Sequence, residues 1–113
     1  MSIVAAAIGL VLAGACSSPA PSTCPNDYPM ACPDAAPSFS SQVGPLIHER
    51  CTICHGAGQQ VPTLESYTDI MTAQQRIFAQ IHACLMPPPP RPPLAAQERQ
   101  AILEWLVCRS PNN

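Results

Sequence analysis

From residue 43 onward, apolar positions recur at helical spacing with polar gaps between them. Val43, Leu46 and Ile47 have i, i+3, i+4 spacing, and Pro45 is compatible only with the first turn of a helix. This pattern predicts a short helix that ends near Cys51. Residues 56–63 contain two glycines and one proline, which predict a loop.

The longest predicted helix begins after Ser66. Ser66 and Asp69 form a capping-box pattern, in which the two side chains accept backbone N–H groups at the start of a helix. One apolar face follows and comprises Tyr67, Ile70, Met71, Ile77, Phe78, Ile81 and Leu85. Four consecutive prolines from Pro87 onward must end this helix.

A last helix is predicted over residues 95–108. Its apolar positions are Ile102, Trp105 and Leu106, and its solvent-facing positions are Glu98, Arg99 and Glu104. No stretch of the sequence alternates with the two-residue period of a half-buried strand. The sequence therefore predicts a small all-α domain of three main helices.

The chain divides into three regions. Residues 1–15 form an uncharged apolar run that is too short to cross a bilayer and is typical of a cleaved secretory signal peptide. Residues 16–38 are rich in Pro, Ser and Ala, so we expect a flexible tether that cannot fold by itself. The folded domain is expected over residues 39–113.

The stretch from Leu12 to Cys16 resembles the signal of bacterial lipoproteins, in which small residues precede a cysteine that becomes the lipidated first residue. The resemblance implies an exported protein that faces the periplasm and is anchored through Cys16 to the lipid bilayer of a bacterial membrane. A plain cleaved signal with an unmodified Cys16 is the alternative.

Composition narrows the functional classes. The chain of 113 residues has five Lys and Arg residues and a formal net charge of -2, so it offers no basic surface for nucleic acid. Seven cysteines in 12.0 kDa indicate disulfides, covalent cofactor attachment or metal binding.

The segment Cys51-Thr-Ile-Cys54-His55 favours one covalently bound haem c. Two cysteines at this spacing can form thioethers with the two vinyl groups on one porphyrin edge, and the adjacent His55 can then ligate the iron.

A structural zinc site is an alternative for the Cys51-Thr-Ile-Cys54-His55 segment, although it needs a second ligand pair. The other candidates for that pair are scattered single residues, namely Cys84, Cys108, His48 and His82. A thioredoxin-like dithiol is a further alternative, but such a motif lies within a βαβ pattern.

The domain resembles the class I monohaem cytochrome c family. The resemblance is carried by CTICHG at residues 51–56, by Met86-Pro87-Pro88, and by the C-terminal amphipathic helix with Trp105. It implies a mostly helical fold with the haem in a cleft, His55 and Met86 as axial ligands, and one-electron transfer with periplasmic or membrane redox proteins. It also implies that a carbonyl near Val61-Pro62 accepts the second ring N–H of His55.

Met86 is the favoured distal ligand because it follows the long helix and precedes Pro87, which restrains its backbone. Met71 lies on the apolar helix face and Met30 lies in the tether, so both suit that role less well. Two alternatives stay open: ligation by His82, which lies one turn earlier, and an open or water-bound position. Arg76 and Arg91 are candidates for pairing with the haem propionates.

Four cysteines remain once Cys16 is assigned to lipid and Cys51 and Cys54 to haem. An even number of cysteines in an oxidising compartment predicts two disulfides among Cys24, Cys32, Cys84 and Cys108. Three connectivities are possible, and pairing Cys24 with Cys32 and Cys84 with Cys108 is favoured because it keeps each bridge local.

The leading hypothesis is an electron carrier and not an enzyme, because the sequence offers no recognisable nucleophile–base pair or paired carboxylates. A haem enzyme or a gas or redox sensor with an open distal site is the second hypothesis. The third is a haem-free module, held by disulfides or zinc, that binds another protein.

Overall fold

The computed structural model describes residues 24–113. A π-helical turn, Phe39–Val43, leads into three α-helices: α1 (Gly44–His55), α2 (Tyr67–His82) and α3 (Ala96–Val107). No strand occurs in this part of the chain, so the all-α prediction is confirmed. None of the helices within residues 24–113 is long and apolar enough to span a bilayer. The predicted signal peptide and the predicted lipidation site, Cys16, lie outside the described residues.

The starts of α1 and α2 follow local sequence signals. Ser66 Oγ accepts the Asp69 N–H at 3.1 Å, and Asp69 Oδ2 accepts the Ser66 N–H at 3.0 Å, which confirms the capping box of α2. Pro45 lies in the first turn of α1, as expected. However, α1 continues past Cys51 as far as His55, so the whole Cys-x-x-Cys-His motif lies on its last turns.

The core forms where the three helices and the π-helical turn meet. Trp105 is fully buried, and the rings of Phe39 and Tyr67 lie 5.4 and 6.4 Å from it between centroids. Its indole N–H donates to the Pro111 carbonyl at 2.9 Å, so the buried polar end is satisfied. The other most deeply buried side chains are Val43, Ile47, Ile102, Leu103 and Ser110.

Two predicted orientations are wrong. Leu85 is 58% exposed, because α2 ends at His82 and the backbone turns there, with Cys84 in the left-handed region at φ 55°. Arg99 was expected to face water but is only 6% exposed. Its side chain lies under the end of α2, where backbone carbonyls and a carboxylate accept its N–H groups.

The predicted cysteine pairing is also wrong, although the prediction of two disulfides is confirmed. Cys24 is bonded to Cys84 and Cys32 to Cys108. Residues 24–38, called here the N-terminal strap, lie against the ends of α2 and α3 instead of extending freely as a tether. The strap therefore brings cysteines that are 60 and 76 positions apart in sequence to bonding distance.

Candidate functional site

The last turns of α1 bring together the residues of the Cys-x-x-Cys-His motif. Positions i, i+3 and i+4 share one face of a helix, so Cys51, Cys54 and His55 lie on the same side of α1. Cys51 and Cys54 are half-buried free thiols, whereas Cys24, Cys32, Cys84 and Cys108 are paired in disulfides.

The ring of His55 is fixed by one hydrogen bond. Its Nδ1 lies 2.9 Å from the Pro62 carbonyl oxygen. Because a carbonyl can only accept, Nδ1 carries a proton, and in the neutral ring Nε2 then keeps its lone pair for another partner. The expectation that a carbonyl near Val61-Pro62 orients this ring is confirmed.

The loop after α1 places that carbonyl by folding back onto the helix end. The Gln60 N–H donates to the Cys54 carbonyl at 3.0 Å and the Leu64 N–H donates to the His55 carbonyl at 2.8 Å. These bonds satisfy carbonyls that a helix C-terminus leaves unpaired. The return path begins at Gly56, which is buried. A Cβ at this position would lie 2.7 Å from the Thr52 carbonyl oxygen.

Gly56→Ala is therefore expected to lower the free energy of unfolding by about 2 kcal/mol, since backbone has to move to accept the methyl group. Gly58→Ala is the matched control in the same loop. Gly58 has φ 73° but open space around its Cβ position, so we expect a smaller loss of about 1 kcal/mol from backbone strain alone. Urea unfolding of both variants measures the difference. Equal losses would show that the overlap with Thr52 is unimportant.

A cavity of about 530 Å³ adjoins the motif, a size typical of small-molecule and cofactor sites. Cys51, Cys54 and His55 line it, and so does Met86 from the proline-rich loop between α2 and α3. Much of the remaining wall is aliphatic and comprises Ile47, Val61, Leu64, Ile77, Ile81 and Ile102. The structure thus brings the four predicted ligand residues to one apolar cavity.

The competing ligand candidates lie elsewhere. His82 is not among the described residues that line the cavity; its ring stacks on Phe78 at 5.6 Å with an interplanar angle of 8°. Met71 packs against the hydrophobic core, and Met30 is 88% exposed on the N-terminal strap. Among the candidates weighed from sequence, Met86 is therefore the one placed beside the His55 motif.

Three arginines line the cavity, and no acidic residue does so among the described residues. Arg76 and Arg91 were both anticipated from the sequence, and Arg50 was missed. Arg50 Nη2 donates to the carbonyls of Pro92 and Pro93 at 3.2 and 2.7 Å, and these acceptors lie 42 and 43 positions away in sequence. No local pattern could indicate this contact, because its acceptors are backbone atoms of a remote loop.

Burial raises the pKa of the Cys51 thiol from 9.0 to about 11, although the positive charge of Arg50 acts in the opposite direction. Cys51 is therefore protonated and weakly nucleophilic at neutral pH. Dithiols that exchange with disulfides instead rely on a lowered cysteine pKa. This environment disfavours the thioredoxin-like alternative.

The raised pKa predicts slow alkylation of Cys51 in folded protein that carries both free thiols. With pKa values of about 11 folded and 9.0 unfolded, the thiolate population at pH 9 is roughly fiftyfold lower in the folded state. Peptide-resolved mass spectrometry after iodoacetamide pulses, with and without urea, measures this ratio. Equal rates in the two states would contradict the burial of this thiol.

The same shift predicts a pH dependence of stability. The folded-state pKa of Cys51 is raised. The contribution of the protonated thiol to the free energy of unfolding is therefore complete below pH 9 and is lost as pH rises through about 11. The Cys51→Ser variant should lose this part of the alkaline destabilisation. Urea unfolding between pH 8 and pH 11 compares the two proteins.

Within residues 24–113, no three His, Cys, Asp or Glu side chains converge as a group that could hold a metal ion. The chain matches no protein-family model, no curated protein and no solved structure.

Proposed function

We propose that the protein is a one-electron carrier with one covalently attached haem c, similar to the class I monohaem cytochromes c. One observation carries the proposal: Cys51, Cys54 and His55 on one face of α1 line the same apolar cavity as Met86. These residue types in one cavity are those that c-type cytochromes use to attach and ligate haem.

Each residue has a distinct role in this proposal. Cys51 and Cys54 would supply the two thioether sulfurs, His55 Nε2 the proximal ligand and the Met86 thioether the distal ligand. The haem, when bound, supplies a metal centre that gains and loses one electron. The Pro62 carbonyl holds His55 in the tautomer that leaves Nε2 free to ligate.

The remaining lining also fits this group. Aliphatic side chains from all three helices form much of the wall. Arg76 and Arg91 place permanent positive charge at the cavity, and so does Arg50, whose Nε lies 3.6 Å from the Glu98 carboxylate. None of the described lining residues is acidic. A largely apolar ring system with two carboxylates is complementary to such a lining.

A separate set of features supports an exported, membrane-tethered location. Two disulfides hold the N-terminal strap, and disulfides persist mainly in oxidising compartments such as the periplasm. The proposal places the domain on the periplasmic side of a bacterial membrane, anchored through a lipidated Cys16. Its partners there would be periplasmic or membrane redox proteins. Mass spectrometry of the mature N-terminus tests the anchor, and finding an unmodified Cys16 would contradict this part of the proposal.

The haem proposal is tested by exporting the protein from a bacterial host with active c-type cytochrome maturation. We expect pigment that stays with the polypeptide after acid–acetone extraction, and no such pigment from Cys51→Ser/Cys54→Ser. His48→Ala is the matched control, since His48 lies exposed on α1 outside the cavity lining and should leave the pigment unchanged. Colourless wild-type protein from a host that matures other c-type cytochromes overturns the proposal.

A further inference from the structure

The C-terminal end of α2 is held by the buried guanidinium of Arg99, which projects from α3. Arg99 Nε donates to the Ile81 carbonyl at 3.2 Å, and Nη2 donates to the His82 carbonyl at 2.9 Å. Nη2 also donates to the Pro25 carbonyl of the N-terminal strap at 3.2 Å, and Nη1 pairs with the carboxylate of Asp27. One side chain thus joins α3, the last turn of α2 and the strap.

The charge of Arg99 is well matched to this position. A cation at a helix C-terminus interacts favourably with the unpaired carbonyls there. Asp27 supplies a compensating negative charge, and its hydrogen bond with Arg99 lowers the pKa of the Asp27 carboxyl. A lysine could not reproduce these contacts, because the ammonium is a point charge whereas the planar guanidinium presents several donors at fixed angles.

The last turn of α2, which Arg99 holds, leads directly to Met86. The Cys84 N–H donates to the Ile81 carbonyl at 3.1 Å and the Leu85 N–H donates to the Gln80 carbonyl at 2.9 Å. This is the Schellman pattern, which usually places glycine in the left-handed position. Here Cys84 occupies that position, at φ 55°, and its disulfide to Cys24 ties it to the strap.

We propose that Arg99 is a positioning residue that fixes the backbone just before Met86 and so holds the Met86 side chain at the cavity. Ile81, whose carbonyl Arg99 binds, lines the cavity together with Met86. The function of Met86 as a ligand rests on the proposed haem site. The clamping of the α2 terminus by Arg99 does not depend on it.

Arg99→Lys tests the clamp, because it retains the charge but loses the forked set of donors. In the full-length exported protein, we expect amide hydrogen exchange at Cys84 and Leu85 to accelerate by about tenfold or more, as local opening becomes easier. Asp27→Asn removes only the charged partner and should cause a smaller change at the same amides. Tyr67→Phe is the control, since it removes a 2.7 Å hydrogen bond to the Ser110 carbonyl at the opposite end of α2.

A second measurement on the pigmented protein addresses Met86 itself. Arg99→Lys should raise the rate at which carbon monoxide binds the ferrous protein by about tenfold, since the fraction with Met86 displaced increases. Tyr67→Phe should leave that rate unchanged.

Unaltered exchange at Cys84 and Leu85 in both Arg99→Lys and Asp27→Asn would overturn the clamp. Faster exchange with an unchanged carbon monoxide rate would overturn the positioning of Met86. If the wild type proves colourless, the proposed function fails, and the exchange rates still decide whether Arg99 holds the α2 terminus.

Discussion

Met86→Ala is expected to yield a pigment that binds carbon monoxide rapidly in the ferrous state and has a lower reduction potential. Alanine cannot ligate, and loss of the thioether removes a soft ligand that favours ferrous iron. Since axial ligation spans about 0.8 V of haem potential, we expect a decrease on the order of 100 mV. Spectroelectrochemical titration measures the potential, and flash photolysis measures carbon monoxide binding.

Met30→Ala is the matched control for this substitution. Met30 is also a methionine, but it is 88% exposed on the N-terminal strap and does not line the cavity. We expect wild-type spectra and potential from it. If Met86→Ala also keeps the wild-type spectrum, the distal position is open or held by another residue. An open distal position would favour the hypothesis of a haem enzyme or sensor over that of an electron carrier.

The features that sequence predicted correctly are those encoded locally. The capping box at Ser66 and Asp69 involves positions three apart, so its hydrogen bonds follow once α2 forms. The proline run after Met86 prevents any helix from continuing through it, although α2 already ends at His82. The shared face of Cys51, Cys54 and His55 follows from helical spacing only because α1 continues to His55, past its predicted end near Cys51. What the spacing could not show is that Met86 would line the same cavity.

The features that sequence missed depend on contacts between distant segments. Arg99 follows Glu98 in a polar stretch of α3, and periodicity assigns both to solvent. Its burial depends on carbonyls at the end of α2 and on Asp27, which is 72 positions away. Arg50 likewise binds carbonyls of a remote loop. Composition predicted a tether over residues 16–38. It could not show that two disulfides and one ion pair hold the described part of that segment, residues 24–38, on the domain.

Removing either disulfide is expected to lower the free energy of unfolding by about 4 kcal/mol in the chain-entropy account. The two bridges close loops of 60 and 76 residues, and the logarithmic dependence on loop length makes their contributions nearly equal. Small domains have total stabilities of only about 5–15 kcal/mol, so either loss is large. Cys24→Ser/Cys84→Ser and Cys32→Ser/Cys108→Ser, unfolded in urea at the same pH, give the comparison.

The two variants should nevertheless differ at the site. Cys84 lies two positions before Met86 at the end of α2, whereas Cys108 caps α3 and contributes nothing to the cavity lining among the described residues. Loss of the Cys24–Cys84 bridge should therefore accelerate carbon monoxide binding to the pigmented protein, and loss of the Cys32–Cys108 bridge should not. Replacing Cys84 by glycine instead of serine, as in Cys24→Ser/Cys84→Gly, should partly restore slow carbon monoxide binding, because glycine adopts the positive φ of this position without strain. If both serine variants bind carbon monoxide equally fast, the bridges act only through global stability, and the strap has no specific effect on Met86.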